Sequence, residues 1–320
     1  MGSGGAAACH ARALKKNRAF RLEGISSRNH VRARELAVRH GGRFYPSPGQ
    51  MIRSPAIQAV ILAVPPLVQP RYLRLALSRG IPVLSEKPIA TTVASARRAL
   101  RGVRQALSFS GINFCYRTIP QIAWLRSCVR RQAVGTPWQI QVEWILGNRL
   151  GSLPGMLPRW KRFDGHGGGV LMNYGIHVLD YLFAGLSKPE LIGSTWNRIG
   201  GRMVAEAGAM IWKFPQGTAT IRLSLITRQT PRHRIRLEGP LGTITVENLS
   251  RHSPAGPFRI CTQGKMRLPP RPPLGPVSLE GLFGEIHVQW LRSIQKKTSN
   301  LPSLAEGLRA LALAKESILR

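Results

Sequence analysis

Apolar runs of strand type that alternate with helix-type segments of about ten residues constrain this chain more than any other feature. FRLEGISS at 20–27, IQAVILA at 57–63 and IPVLS at 81–85 read as strands. Between them lie AAACHARALKKN from residue 6, VRARELAVRHG closed by Gly41, PRYLRLALSR at 70–79 and a helical stretch over 91–107. Strands separated by helices of about ten residues mean a parallel sheet wound by right-handed crossovers.

From about residue 118 the rhythm changes. A helix, PQIAWLRSCVRR, leads into WQIQVEWIL, and AMIWKF, TATIRLSLI and RIRLEGPLGTITVEN alternate at the two-residue period of half-buried strands, with GPLG as a turn. LPPRPPLGP at 268–276 is too rich in proline for a strand and reads as a polyproline-type loop. Two helices, 280–296 and 302–319, close the chain. The predicted fold class is α/β: a Rossmann-like doubly wound parallel sheet over 1–117, then a second α+β domain over 118–320 with a large, mostly antiparallel open sheet.

With 320 residues, 43% of them hydrophobic and 19% charged, there is enough apolar material for two cores. The charge is lopsided: 47 Lys plus Arg against 14 Asp plus Glu gives +33, and 10 of the 47 are Lys, so 37 are Arg. Such a surface attracts phosphates in a salt-dependent way. No zinc-finger spacing, basic heptad region or aromatic-basic string accompanies it, so no specific nucleic-acid partner is expected. The four cysteines, Cys9, Cys115, Cys128 and Cys261, form no CxxC pair, which fits free thiols. The opening residues lack the apolar core of a signal peptide, and the run at 59–68 is too short and proline-broken to span a bilayer. A cytoplasmic protein with no membrane partner is the expectation.

Three segments carry candidate chemistry. Gly2 and Gly4, ahead of a small-residue helix, match a turn that lets backbone approach a pyrophosphate at a helix N-terminus. The strand that normally precedes such a turn would lie upstream of Met1, so the first strand is expected to be missing. At the end of the 20–27 strand stand Ser27 and Arg28, where an NAD-selective site would carry an acid. Arg28 suits a 2′-phosphate and tilts the expectation toward NADP(H) over NAD(H), with an ordinary surface arginine as the competing reading. SEKP puts Glu86 and Lys87 directly after the strand IPVLS, at the carboxyl edge where open α/β sheets bind ligands.

The third segment is GGGVLMNYGIHVLDYL at 167–182. Its apolar residues recur at helical spacing, yet Asn173, His177 and Asp180 sit at i, i+4 and i+7 and share one face of an α-helix. A histidine on an apolar helix is often only a hydrogen-bonded core residue, so the rest of the chain must decide whether a site faces it.

AVILAVPP, GIPVLSEKPIATT, NFCYRTIP with RRQAVGTPWQIQV, GGGVLMNYGIHVLDYLF and IRLEGPLGTITVEN with LPSLAEGLRALALAKESI resemble, in order and spacing, the Gfo/Idh/MocA oxidoreductases. The resemblance implies an NAD(P)-dependent dehydrogenase acting on a sugar or cyclitol CH–OH group, free or nucleotide-linked, and a homo-oligomer formed through the second-domain sheet. It makes Lys87 the lysine beside nicotinamide and reacting hydroxyl, His177 the catalytic histidine, and Pro65, Glu86 and Lys87 part of the cofactor site. The Lys87–Pro88 bond is often cis in such relatives. Arg117 and Asp164 become candidate substrate contacts, against the plainer readings of a surface arginine and a turn aspartate. Asn173 stands where many members carry Asp; an amide cannot hold charge but can orient substrate, as in the branch that oxidises UDP-linked amino sugars. Gln69 stands where relatives usually carry His. Two other outcomes fit the same departures: a non-catalytic member that binds an acidic partner, and an NAD-dependent glycosidase. No metal ligand set is expected.

Overall fold

The computed structural model describes residues 1–103, 107–146, 159–184, 186, 189–198, 205–226, 230–248, 250, 253–276, 278–297 and 299–319. By its internal contacts the chain divides into two compact units, Met1–Cys115 with Leu279–Leu311, and Tyr116–Ser278 with Ala312–Arg320.

The first unit alternates strand and helix: α1 (Gly5–Lys15), β1 (Gly24–Ile25), α2 (His30–His40), β2 (Arg43–Phe44), α3 (Pro48–Arg53), β3 (Val60–Leu62), α4 (Gln69–Leu77), β4 (Val83–Ser85), α5 (Val93–Leu100) and β5 (Gly111–Ile112). β1 pairs with β2, and β3, β4 and β5 pair in that order, all parallel. The predicted helix over 91–107 is observed as Val93–Leu100, and residues 104–106 lie outside the described ones. Local chemistry sets the helix ends. Asn29 accepts from the Arg32 amide to cap α2, which Gly41 closes in the left-handed region at φ 75°; Ser47 caps α3 and Thr92 caps α5.

The strands are shorter than predicted, and the gap between the two small sheets is bridged in an unforeseen way. The Gly2 amide donates to Ser26 O (2.8 Å), the Met1 amine to Ile61 O (2.6 Å) and the Ala63 amide to Met1 O (2.9 Å). The backbone of Met1–Gly2 therefore lies between the end of β1 and the end of β3. A Cβ at Gly2, whose φ is +109°, would sit 2.1 Å from Ala63 O, so only glycine fits this close approach.

The C-terminal helices, which the sequence reading assigned to the second domain, give Leu279–Leu311 to the first unit. There α8 (Leu279–Ile294) packs on α1, and Glu280 pairs with Arg12 and Lys16 of α1. Chain contiguity hid this return.

The second unit is built on a seven-stranded sheet in the order β12-β11-β10-β6-β9-β8-β7. Its strands are β6 (Trp138–Ile145), β7 (Glu190–Asn197), β8 (Ala207–Phe214), β9 (Gly217–Ser224), β10 (Arg232–Gly239), β11 (Gly242–Asn248) and β12 (Phe258–Gly264). Every pairing is antiparallel except β6 with β9. The predicted GPLG turn joins β10 to β11 through Pro240 and Leu241. Alternation is clean: Ile140, Val142, Ile221, Leu223, Ile235, Leu237, Ile244 and Val246 are buried on one face. The opposite face carries ion pairs, with Glu143 between Arg222 and Arg232, and Glu247 between Arg234 and Arg259. Against the buried face pack α6 (Pro120–Arg130) and α7 (Ile176–Phe183); α9 (Leu304–Leu319) ends the chain. The proline-rich stretch is irregular as predicted, and Trp124 and Gln121 donate to its carbonyls at Pro269 and Pro273.

Candidate active site

In the first unit the glycine turn opens α1. Gly4 is its N-cap, no side chain caps the first turn, and a Cβ at Gly4 or Gly5 would meet nothing within 4 Å. The first-turn amides are thus left uncapped by any side chain, and a phosphate placed there is attracted by them and by the helix dipole. Beside it Ser3 Oγ donates to Ser27 Oγ (2.9 Å), Arg28 is exposed, and Ser26 Oγ is buried with no hydrogen-bond partner among the described residues. Pro65 accepts the amides of Val68 and Gln69 and so starts α4. Open amides, a close-approach glycine and an orphan hydroxyl fit a dinucleotide.

Glu86 and Lys87 follow β4 directly, as predicted, and the Lys87–Pro88 bond is cis. Glu86 is buried and fully engaged: Oε1 accepts from His10 Nε2 (3.0 Å) and Asn113 Nδ2 (2.6 Å), and Oε2 from the Lys87 amide (3.3 Å). Burial alone would raise its pKa, but the hydrogen bonds from His10 and then Asn113, with the charge of Lys87, hold it below the usual carboxylate value. His10 Nδ1 lies 2.9 Å from His287 Nε2 of α8. Burial, then the neighbouring His10, pushes His287 down to about 3, so it is neutral at pH 7. A neutral His287 donating to His10, which donates to Glu86, leaves only an acceptor, His287 Nδ1, unmet. Sequence reading missed His10, Asn113 and His287; the one available signal was the place of His10 on the buried face of α1, beside Cys9, Ala13 and Leu14.

In the second unit the glycine-rich segment departs from the predicted single helix. Leu171–Gly175 forms a π-turn, and Ile176–Phe183 is the α-helix that follows it. Over that stretch the period is wider than the α-helical one. Asn173 turns its amide back to Gly169 O (2.8 Å), while Asp180 takes the Arg117 guanidinium in a two-point pair, Nε to Oδ2 at 3.0 Å and Nη2 to Oδ1. Both side chains are buried, 9% and 2% exposed. Asp180 thus anchors Arg117, which sits in the 3-10 turn Cys115–Thr118. Asp164 opens another, Asp164–His166, and its side chain lies outside the described ones.

His177 is 4% exposed with its ring 4.8 Å from that of Tyr116. Tyr116 meets Trp144 edge-on, and Trp144 stacks on His233 at 4.0 Å and 3°. His233 Nε2 meets Tyr181 Oη at 2.9 Å, and burial pushes this histidine down to about 3. A cavity of about 180 Å³ is lined by Trp144, Tyr174, Arg232, His233, Asn248 and Ser250, among others. Tyr116 and His233 carried no motif by which sequence could have found them. Among the described residues no His/Cys/Asp/Glu group could hold a metal, and no helix is long and apolar enough to cross a membrane.

Two family signatures match in the order of the two units: an oxidoreductase family with NAD-binding Rossmann fold over residues 1–108, and a GFO/IDH/MocA C-terminal domain over 122–245. The chain belongs to the Gfo/Idh/MocA oxidoreductase family. Among curated relatives, an uncharacterised oxidoreductase of Synechocystis is 26% identical over 183 residues, 57% of this chain and 49% of its own. The inositol 2-dehydrogenase of Rubrobacter xylanophilus is 29% identical over 139 residues, 43% of this chain and 40% of its own. These matches span half or less of the relatives' lengths. The crystal structure of the WlbA dehydrogenase of Bordetella pertussis, in complex with NADH and UDP-GlcNAcA, is similar in fold, with TM-score 0.84 and 18% identity over 99% of this chain and 93% of that one.

Proposed function

We propose that this protein is an NAD(P)-dependent oxidoreductase that moves a hydride between a CH–OH carbon of a sugar or cyclitol and nicotinamide. The observation that carries the reading is Lys87, set at the carboxyl edge of β4 in a unit whose glycine turn offers open amides to a dinucleotide. In this reading Lys87 polarises the reacting oxygen, His177 exchanges its proton, and Asn173 orients the substrate. Nicotinamide supplies the hydride acceptor or donor. Gly2, Gly4, Ser27, Arg28, Pro65 and Glu86 belong to the cofactor side; Arg117 and Asp164 belong to the substrate side, Arg117 with its charge already balanced by Asp180. Relatives that act on inositol and a neighbour crystallised with a UDP-sugar support cyclitols and nucleotide-linked sugars as the classes to screen.

The absence of an acid after β1 and the exposed Arg28 support NADP(H). The ion-paired, half-exposed face of the seven-stranded sheet supports a homo-oligomer formed there. Thermal unfolding with each of the four nicotinamide dinucleotides at moderate salt tests the cofactor reading. The expected result is stabilisation by the NADP pair well above that by adenosine diphosphate, weakened in Arg28→Glu; equal shifts with all of them would refute it.

A further inference from the structure

We propose that Gln69 is a positioning residue for Lys87; the proposal rests on the reading in which Lys87 touches the reacting hydroxyl. Gln69 is 1% exposed, and its single amide nitrogen donates to two carbonyls, Glu86 O (2.5 Å) and Pro88 O (3.0 Å). These are the residues immediately before and after Lys87. Both hydrogens of the amide are thereby used, and the orientation is fixed: flipped, the Gln69 oxygen would face two carbonyl oxygens.

The other end of this tether is rigid as well. The Gln69 amide bonds to Pro65 O, Pro70 follows it in the first turn of α4, and Leu73, Ala76 and Leu77 bury that helix. On the opposite side the Lys87 amide bonds to Glu86 Oε2, and Glu86 Oε1 is held by His10 and Asn113. The lysine backbone is therefore fixed at its own N–H and at both flanking carbonyls, by side chains that do not themselves reach out of the core. Only a carboxamide supplies two donors from one neutral atom, and glutamine has the length that reaches both carbonyls from this position. A histidine here would offer one ring N–H to the two carbonyls, a weaker clamp.

Reaction rate is sensitive to misplacement of a reacting group by a fraction of an ångström, so the clamp acts on turnover more than on substrate affinity. Gln69→Leu keeps the volume and removes both donors; Gln69→His returns one. Two readouts separate this proposal from the functional reading beneath it. One is steady-state turnover on any sugar or cyclitol that the wild type oxidises. The other needs no substrate: competitive acetylation by trace acetic anhydride, read lysine by lysine by mass spectrometry.

The expected result for Gln69→Leu is a fall in kcat of about tenfold or more with KM within about threefold, and partial recovery in Gln69→His. Alongside it, acetylation of Lys87 should change against the other nine lysines, which keep their wild-type ratios. Unchanged Lys87 acetylation in Gln69→Leu overturns the proposal. So does an unchanged kcat in an active enzyme. If the wild type oxidises nothing but Lys87 acetylation still changes, the clamp stands and the functional reading fails. Should Gln69→Leu not fold, Gln69→His carries the test, with an intermediate Lys87 reactivity expected and the wild-type value overturning the proposal.

Discussion

The buried His233 makes the second unit lose stability in mild acid, by an amount that depends little on how far its pKa is depressed. Its ring lies against Trp144, its Nε2 against the Tyr181 hydroxyl, and burial pushes it to about 3. An unfolded chain protonates the same histidine near its ordinary value of about 6.5, so between those two values the unfolded state binds the extra proton. Stability therefore rises with pH through this window and falls as pH drops below about 6.5. From pH 7 to pH 5 the loss is about 2 kcal/mol, set by the unfolded pKa as long as the folded one stays below about 4.

Six of the seven tryptophans belong to the second unit, so intrinsic fluorescence during urea unfolding reports mainly on it. His233→Gln keeps a hydrogen-bonding partner for Tyr181 and does not titrate. Its stability should fall by about 2 kcal/mol less than that of the wild type between pH 7 and pH 5. Parallel pH profiles for the two proteins would show that His233 is solvated or charged in the fold, and would refute the argument.

Two further outcomes follow from burial. Arg117→Ala leaves Asp180 buried without its main partner, at a cost of about 3–5 kcal/mol, whereas Arg117→Leu/Asp180→Leu should recover most of it; urea unfolding of the single and double variants checks both. Of the four thiols, Cys261 alone is exposed, while burial pushes Cys9 and Cys128 up to about 11 and Cys115 higher still. A thiol reagent at neutral pH should modify one cysteine per native chain, and rapid loss of more than one would contradict the packing.

Sequence made the strand–helix alternation legible because apolar runs such as AVILAV and IPVLS have no solvent-compatible alternative. It overstated strand length, since pairing extends only as far as a parallel neighbour does, and β1 is reduced to Gly24–Ile25. The short α3 was invisible because PSPGQM is built of turn formers; its signal, Ser47 capping a helix with Pro48 at its start, is local and subtle. The π-turn at Leu171–Gly175 could not be seen, because over one turn an apolar pattern does not distinguish its period from that of an α-helix. Glu86 and Lys87 were legible through their position after a strand. Their supports were not: His10, Gln69 and Asn113 are single polar residues from three distant segments, and only the folded chain brings them to one carboxylate and its neighbouring carbonyls.

A panel of cyclitols, free sugars and UDP-sugars, read by the appearance of reduced nicotinamide, tests whether this chain moves a hydride with Lys87 and His177 in the chemistry. Turnover of at least one compound by the wild type is expected. In Lys87→Ala and His177→Ala the expected result is a loss of about a hundredfold or more, with stabilisation by the dinucleotide retained. Full turnover in Lys87→Ala with cofactor bound, or no oxidation by a wild type that the dinucleotide stabilises, would contradict that chemistry.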